Sequence, residues 1–186
     1  MSNKRKSIIV TGSSGTIGTR LMQTLISKGY KVIGIDKVKN KWDKKVNSLT
    51  KIIDLRNQSK LLELNVKADI IIHLAANARV YNLVVNPKLA KDNVSTVFNV
   101  CEFARKKNIK KILFASSREV YGDSGLILHS EEDAYMKNCE SPYTASKVFG
   151  ETLITSYMKC YEINYLIYRF SNVYGMYDGS DRVIPL

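Results

Sequence analysis

Val10-Thr11-Gly12-Ser13-Ser14-Gly15-Thr16-Ile17-Gly18 sets three glycines directly after the apolar run Ile8-Ile9-Val10 and ahead of the helical spacing Ile17, Leu21 and Leu25. Glycine in such a turn permits positive φ and lets the backbone approach a ligand closely. The helix that follows offers N–H groups and the positive end of its dipole. The strand, turn and helix together predict a phosphate cradle for a dinucleotide at Gly12, Gly15 and Gly18, with Thr16 and Ile17 opening the helix.

Beyond the turn, short β-branched runs recur: Val32-Ile33-Gly34-Ile35, Ile52-Ile53, Ile70-Ile71-Ile72, Ile112-Leu113-Phe114 and Tyr165-Leu166-Ile167. They read as buried parallel strands. Helical spacing lies between them, at Leu61 with Leu64, at Val94, Phe98 and Cys101, and at Val148 with Leu153 and Ile154. Strands alternating with helices form βαβ units, so the expected fold is α/β, a doubly wound parallel sheet in three αβα layers. Gly29 closes the first helix, and Ser141-Pro142 opens a late one as N-cap and first helical residue. Gly122 to Ser141 is the longest unpatterned stretch, a length at which loops are often functional.

The 186 residues suit one such domain, and 45% hydrophobic with 25% charged residues is a globular balance. The net charge of +12, with Lys-rich runs at Lys4 to Lys6, Lys37 to Lys45 and Arg105 to Lys111, favours anionic partners. The runs lack repeated aromatics, so nucleic acid is not the expected partner. Cys101, Cys139 and Cys160 suggest neither a disulfide framework nor a metal site, and a reducing cytoplasm is expected. No signal peptide or membrane span is expected either. His73 and His129 lack ligand company and read as structural.

Asp36 ends the second strand, where an acidic residue can accept hydrogen bonds from the adenosine ribose and repel a 2′-phosphate, which favours NAD. Tyr143 and Lys147 stand four apart and share a helix face, placing an ammonium near a phenol. Taken alone, that pair is common by chance.

Thr11-Gly12-x-x-Gly15-x-x-Gly18 departs from G-x-G-x-x-G and resembles the fingerprint of extended short-chain dehydrogenases/reductases, the NAD-dependent epimerase/dehydratase family acting on nucleotide sugars. The resemblance extends along the chain through Asp54-Leu55, His73-Leu74-Ala75-Ala76, Asn86-Pro87, Asn93 and Asn99-Val100. Ser116-Ser117-Arg118-Glu119-Val120-Tyr121-Gly122 is similar to the family's S-S-x-x-V-Y-G, and Arg169 to Gly175 to its R-x-x-N-V-Y-G. It implies a Rossmann fold and an NAD site built from the glycine turn, Asp36, Asp54, Leu55, Leu74, Ala75, Ala76, Asn93, Tyr143 and Lys147.

It further implies Tyr143 as acid/base, Lys147 as activator of the phenol and ribose ligand, and Ser117 as the hydroxyl that orients substrate, with Ser117, Arg118, Glu119 and Asn172 toward the sugar. The dehydratase branch carries an Asp-Glu pair where Arg118-Glu119 stand, which argues against a 4,6-dehydratase; Glu119 is also compatible with decarboxylases. The leading expectation is an NAD-dependent nucleotide-sugar epimerase or related sugar oxidoreductase. A dehydratase, a decarboxylase or a non-catalytic dinucleotide- or nucleic-acid-binding relative are the alternatives. Family members continue into a substrate-binding region, so residues 1–175 are expected to form the cofactor domain and 176–186 the start of that region, truncated or completed by a partner. Family dimers pair through the helices bearing Asn93 and Tyr143, and a homodimer is expected here.

Overall fold

A computed structural model describes residues 5–125, 128–134 and 136–179. Six strands form one sheet: β1 (Ser7–Thr11), β2 (Lys31–Asp36), β3 (Thr50–Ile52), β4 (Ile70–His73), β5 (Lys111–Ser117) and β6 (Asn164–Phe170). Their order is β3-β2-β1-β4-β5-β6, and every pairing is parallel. This is the doubly wound Rossmann arrangement, and strand order reverses between β1 and β4.

The helices are α1 (Thr16–Ser27), α2 (Lys44–Leu49), α3 (Gln58–Glu63), α4 (Val80–Val85), α5 (Lys88–Lys106) and α6 (Pro142–Tyr161). Alternation along the strands decides which face each residue joins. Ile9, Ile35, Ile71, Ile112 and Phe114 pack with α5 and α6, whereas Ile8, Val10 and Val32 pack with Met22 of α1 and Val46 of α2. Burying each of the large aliphatic side chains contributes roughly 1.5–3 kcal/mol. Two apolar faces on one sheet require two helical layers, and so three layers in all.

The helix ends obey local chemistry. Gly29, at φ +73°, terminates α1, with its N–H on Ile26 O and that of Tyr30 on Leu25 O. The Ser141 hydroxyl accepts the Thr144 N–H at 3.1 Å, and Pro142 fills the first helical position of α6. Further along α6, Gly150 lies so close to β5 that an added Cβ would stand 2.5 Å from the Phe114 ring.

One expected stripe is rotated. On α5, Phe98 is 42% exposed, while Asn93, Val97, Val100, Cys101 and Ala104 face inward. The cause is that two asparagines occupy inward positions. Asn99 Nδ2 donates to Leu55 O (2.8 Å) and Arg56 O (3.2 Å), so burial there follows hydrogen bonding rather than hydropathy.

The segment from Gly122 to Ser141 has 3-10 turns at Glu131–Asp133 and Met136–Asn138. Asn138 Nδ2 ties it to Tyr121 O at 3.1 Å. Short helices α2 and α4 had no readable periodicity. Of the expected region 176–186, residues 176–179 are described, and 180–186 lie outside the described residues, as does Lys4 of the first basic run.

Candidate functional site

The carboxyl ends of β1, β4, β5 and β6 open onto two cavities of about 790 and 200 Å³. Gly12, Gly15, Leu74 and Ala76 line both, so the glycine turn forms the sill between them. The turn lies at the strand-order reversal, where open α/β sheets take their ligands.

Two of the three glycines are required by their surroundings. Gly12 has φ +72°, and a Cβ there would stand 2.8 Å from the Ala75 nitrogen. At Gly18 a Cβ would overlap Gly12 O at 2.0 Å, so its absence lets α1 seat on the turn. Gly15 is different, since a Cβ there meets only Gly12 O at 3.4 Å, and the residue lines both cavities. As N-cap of α1, Gly15 makes no side-chain cap, and no acidic residue stands in the helix's first turn. A cleft at the positive end of a helix whose cap and first turn carry no carboxylate fits a diphosphate.

Asp36 holds this turn from the side, accepting Ser14 N–H (2.9 Å) on Oδ2 and Val38 N–H (3.1 Å) on Oδ1. It lines the smaller cavity with Lys37, Asp54, Leu55, Ala75 and Asn93. Arg56, missed in the sequence reading, grips Asp54 at 2.6 Å and Asp92 at 2.9 Å. That contact holds the Asp54 carboxyl below its usual range. The Asn93 amide is taken up within the protein: Oδ1 accepts Asn77 N–H (2.8 Å), and Nδ2 donates to Asn77 O (3.1 Å) and Ser146 Oγ (3.2 Å). Asn93 therefore shapes the wall of the smaller cavity by fastening the loop after β4.

Ser117, Arg118, Glu119, Tyr143, Lys147 and Asn172 all line the larger cavity, together with Thr16 and Ile17. Ser117 ends β5, and its Oγ accepts the Glu119 N–H at 3.2 Å as the cap of a 3-10 turn, Arg118–Tyr121. Tyr143 and Lys147 occupy the first turns of α6, both buried. The Lys147 ammonium donates to Ala115 O at 2.8 Å and lies 5.7 Å from the centre of the Tyr143 ring. Burial lowers its pKa to about 8, against the opposing pull of Glu151. Arg118 Nε sits 3.6 Å from Glu119 Oε1 at the exposed rim.

Beneath this floor, His73 is buried, hydrogen-bonded through Nδ1 to Thr11 Oγ1 at 2.7 Å and stacked on Phe114. Desolvation and the Lys147 charge hold its pKa down near 3, so it is neutral. His129 stacks on Tyr121. A polar chain runs behind Ser117. Ser116 Oγ donates to Glu151, which accepts Arg169 through Nη2 (2.8 Å) and Nε (3.1 Å). Arg169 Nη1 reaches Glu131 O at 2.7 Å and Tyr121 OH at 3.2 Å, pinning the long loop to β6.

Sequence reading missed the contribution of α4, whose Arg79, Val80, Tyr81 and Asn82 edge the larger cavity. It also missed Tyr174 and Asp178 beyond β6. Only six residues long, α4 carries no stripe that periodicity can detect. Among the described residues, no group of three or more His, Cys, Asp or Glu side chains could hold a metal ion, and no helix is long and apolar enough to cross a membrane.

Comparison with known proteins agrees with this geometry. The sequence profile of the NAD dependent epimerase/dehydratase family matches residues 8–186. A protein of Methanocaldococcus jannaschii provisionally named UDP-glucose 4-epimerase is 38% identical over 173 residues, 90% of this chain and 56% of that protein. The dTDP-D-glucose 4,6-dehydratase of Dictyostelium discoideum is 31% identical over 204 residues, 96% of this chain and 46% of its own length. The crystal structure of the Thermus thermophilus UDP-glucose 4-epimerase in complex with NAD superposes with a TM-score of 0.80 at 27% identity, covering 91% of this chain and 56% of the other. The chain thus spans about half the length of these relatives. With its six-stranded parallel sheet and a family profile that matches residues 8–186, the chain belongs to the NAD-dependent epimerase/dehydratase family.

Proposed function

We propose that this chain supplies the cofactor-binding and acid–base half of a nucleotide-sugar epimerase. One observation carries the reading: Ser117, Tyr143 and Lys147 converge on the cavity whose sill is the glycine turn. Residues 1–175 form the cofactor domain in this reading, and the substrate-binding region begins at 176.

The nicotinamide supplies a two-electron hydride acceptor and donor when bound. The chain's own residues manage the proton and the orientation. Tyr143 takes the proton of a sugar hydroxyl, and the ammonium of Lys147 favours its phenolate. Because Ser117 Oγ accepts the Glu119 N–H, its own proton is left to donate to the oxygen that becomes a carbonyl. Asp36 and Lys147 serve the riboses, Asp54 and Leu55 the adenine end, and Asn172 the sugar. Arg118 supplies a cation where water elimination calls for an acid, which favours epimerisation over dehydration.

A homodimer through the outer faces of α5 and α6 belongs to the same proposal. Each helix leaves a phenylalanine exposed there, Phe98 and Phe149, and sedimentation of wild type beside Phe98→Glu tests it.

The deciding experiment is Tyr143→Phe in the complete enzyme, supplied with NAD and a panel of nucleotide hexoses. Turnover should fall about 10³-fold while NADH binding stays nearly unchanged. A variant that turns over like wild type overturns the assignment. A 4-keto-6-deoxy product in place of an epimer reassigns the reaction to the dehydratases.

A further inference from the structure

After β6 ends at Phe170, the chain reaches α1 by Tyr177. Tyr177 O accepts the Thr16 hydroxyl at 3.1 Å, and Tyr177 OH accepts Gln23 Nε2 at 2.7 Å. Strands β6 and β1 are three places apart in the sheet, and neighbouring strands lie about 4.8 Å apart, so the segment crosses roughly 14 Å. It crosses at the carboxyl edge, over the cleft between β5, β4 and β1. Tyr174 and Asp178 on this crossing line the larger cavity. A dinucleotide lying across the glycine turn therefore lies beneath a strap.

The far end of the strap is fastened through Tyr177. The Tyr177 ring packs on Trp42 with centroids 5.8 Å apart, and Gln23 Nε2 also donates to Asp43 Oδ2 at 2.7 Å. Asp43 caps α2 through the Val46 N–H. The clasp thus joins three pieces: the third turn of α1, the loop between β2 and α2, and the segment beyond β6. None of these contacts reaches the cavity's reacting groups, and no glycine or catalytic motif marks them.

We propose that Tyr177, seated against Trp42 and Gln23, is a clasp that gates entry and release of the dinucleotide at the first turn of α1. Tyr177, Gln23 and Trp42 are positioning residues here. The inference rests on the dinucleotide site and not on the reaction assigned above.

A gate and a direct ligand contact leave different kinetic marks. Loosening a gate speeds both association and release and leaves Kd nearly unchanged, whereas deleting a contact speeds release and weakens Kd by the same factor. Trp42 is the only tryptophan in the chain, so its emission reports the clasp directly.

The test uses the 186-residue chain with NADH as the probe, in wild type, Tyr177→Ala, Tyr177→Phe and Gln23→Ala. Association is followed by stopped-flow quenching of Trp42, and release by chasing bound NADH with excess NAD. Tyr177→Ala should raise both rates tenfold or more. Tyr177→Phe, which keeps the ring contact and loses the Gln23 bond, should fall between, as should Gln23→Ala, with circular dichroism unchanged in all three. Unchanged rates, or faster release matched by an equal loss of affinity, overturn the clasp while leaving the dinucleotide site intact. Failure of the wild-type chain to bind NADH overturns both.

Discussion

The ammonium of Lys147 donates a hydrogen bond to the carbonyl oxygen of Ala115 over 2.8 Å, joining the second turn of α6 to the end of β5. That contact fixes a buried charge two residues before Ser117 and 5.7 Å from the Tyr143 ring centre. The ammonium titrates near pH 8 in the fold and near 10.5 when the chain unfolds. Between those values the unfolded chain binds more protons, so this group's contribution to stability rises with pH. Lys147→Met lacks the titration. From pH 7 to 10.5, the stability of wild type relative to that variant should improve by roughly 3 kcal/mol, read from urea unfolding at each pH. Over the same limb, the turnover proposed for the complete enzyme should decline as the charge beside Tyr143 is lost.

His73 adds a slope of the same sign on the acid side. Its pKa falls from 6.5 to about 3 on folding, because it is buried and faces Lys147. Stability conferred by the neutral ring is fully present above pH 6.5 and drains away as pH drops toward 3. The loss is on the order of 5 kcal/mol when complete. His73→Gln should flatten the acid limb of the stability curve, and a limb of unchanged slope would assign acid unfolding to other groups.

Glu151 and Arg169 form a mostly buried ion pair that also carries Ser116 and the loop at Glu131. Removing one partner strands the other, so Glu151→Leu should cost about 3 kcal/mol in unfolding free energy. Replacing both, as Glu151→Leu with Arg169→Met, should recover part of that loss. Limited proteolysis should cut between Gly122 and Ser141 sooner in the single variant than in wild type.

Gly18→Ala would set a methyl 2.0 Å from Gly12 O, a backbone atom that cannot step aside without moving the turn. NADH affinity should fall at least tenfold, by calorimetry, with a drop in Tm. Gly15→Ala meets only a 3.4 Å neighbour, so it should keep the stability and lose the affinity.

The strands were legible because parallel strands buried on both faces are written as short β-branched runs; five contain their runs, whereas β3 meets its run only at Ile52, and on the two edge strands Ile52 and Leu166 are exposed rather than buried. The lining of the larger cavity was legible where a motif marks it, as at Gly12, Gly18 and the Tyr143 and Lys147 pair. What escaped was structure without a period. Helix α4 borders the larger cavity although its six residues form no stripe. The inward phase of α5 was hidden because Asn93 and Asn99 are buried for their hydrogen bonds, which hydropathy counts as exposure. Arg56 and Tyr177 are long-range partners of Asp92 and Gln23, and nothing local announces either pairing.

Gly150 lines neither cavity of the candidate site, yet its missing methyl lets α6 rest against the Phe114 ring. The height of that helix above the sheet sets how deep Tyr143 and Lys147 sit. A single added carbon would raise the whole lever, lengthen the Lys147 to Ala115 bond and let water in beside the ammonium. Its acidity would then drift back toward that of a lysine in solution. The acidity of that ammonium is thus held by a spacer, and the candidate site can be retuned from the far side of a helix without touching any group that lines the larger cavity.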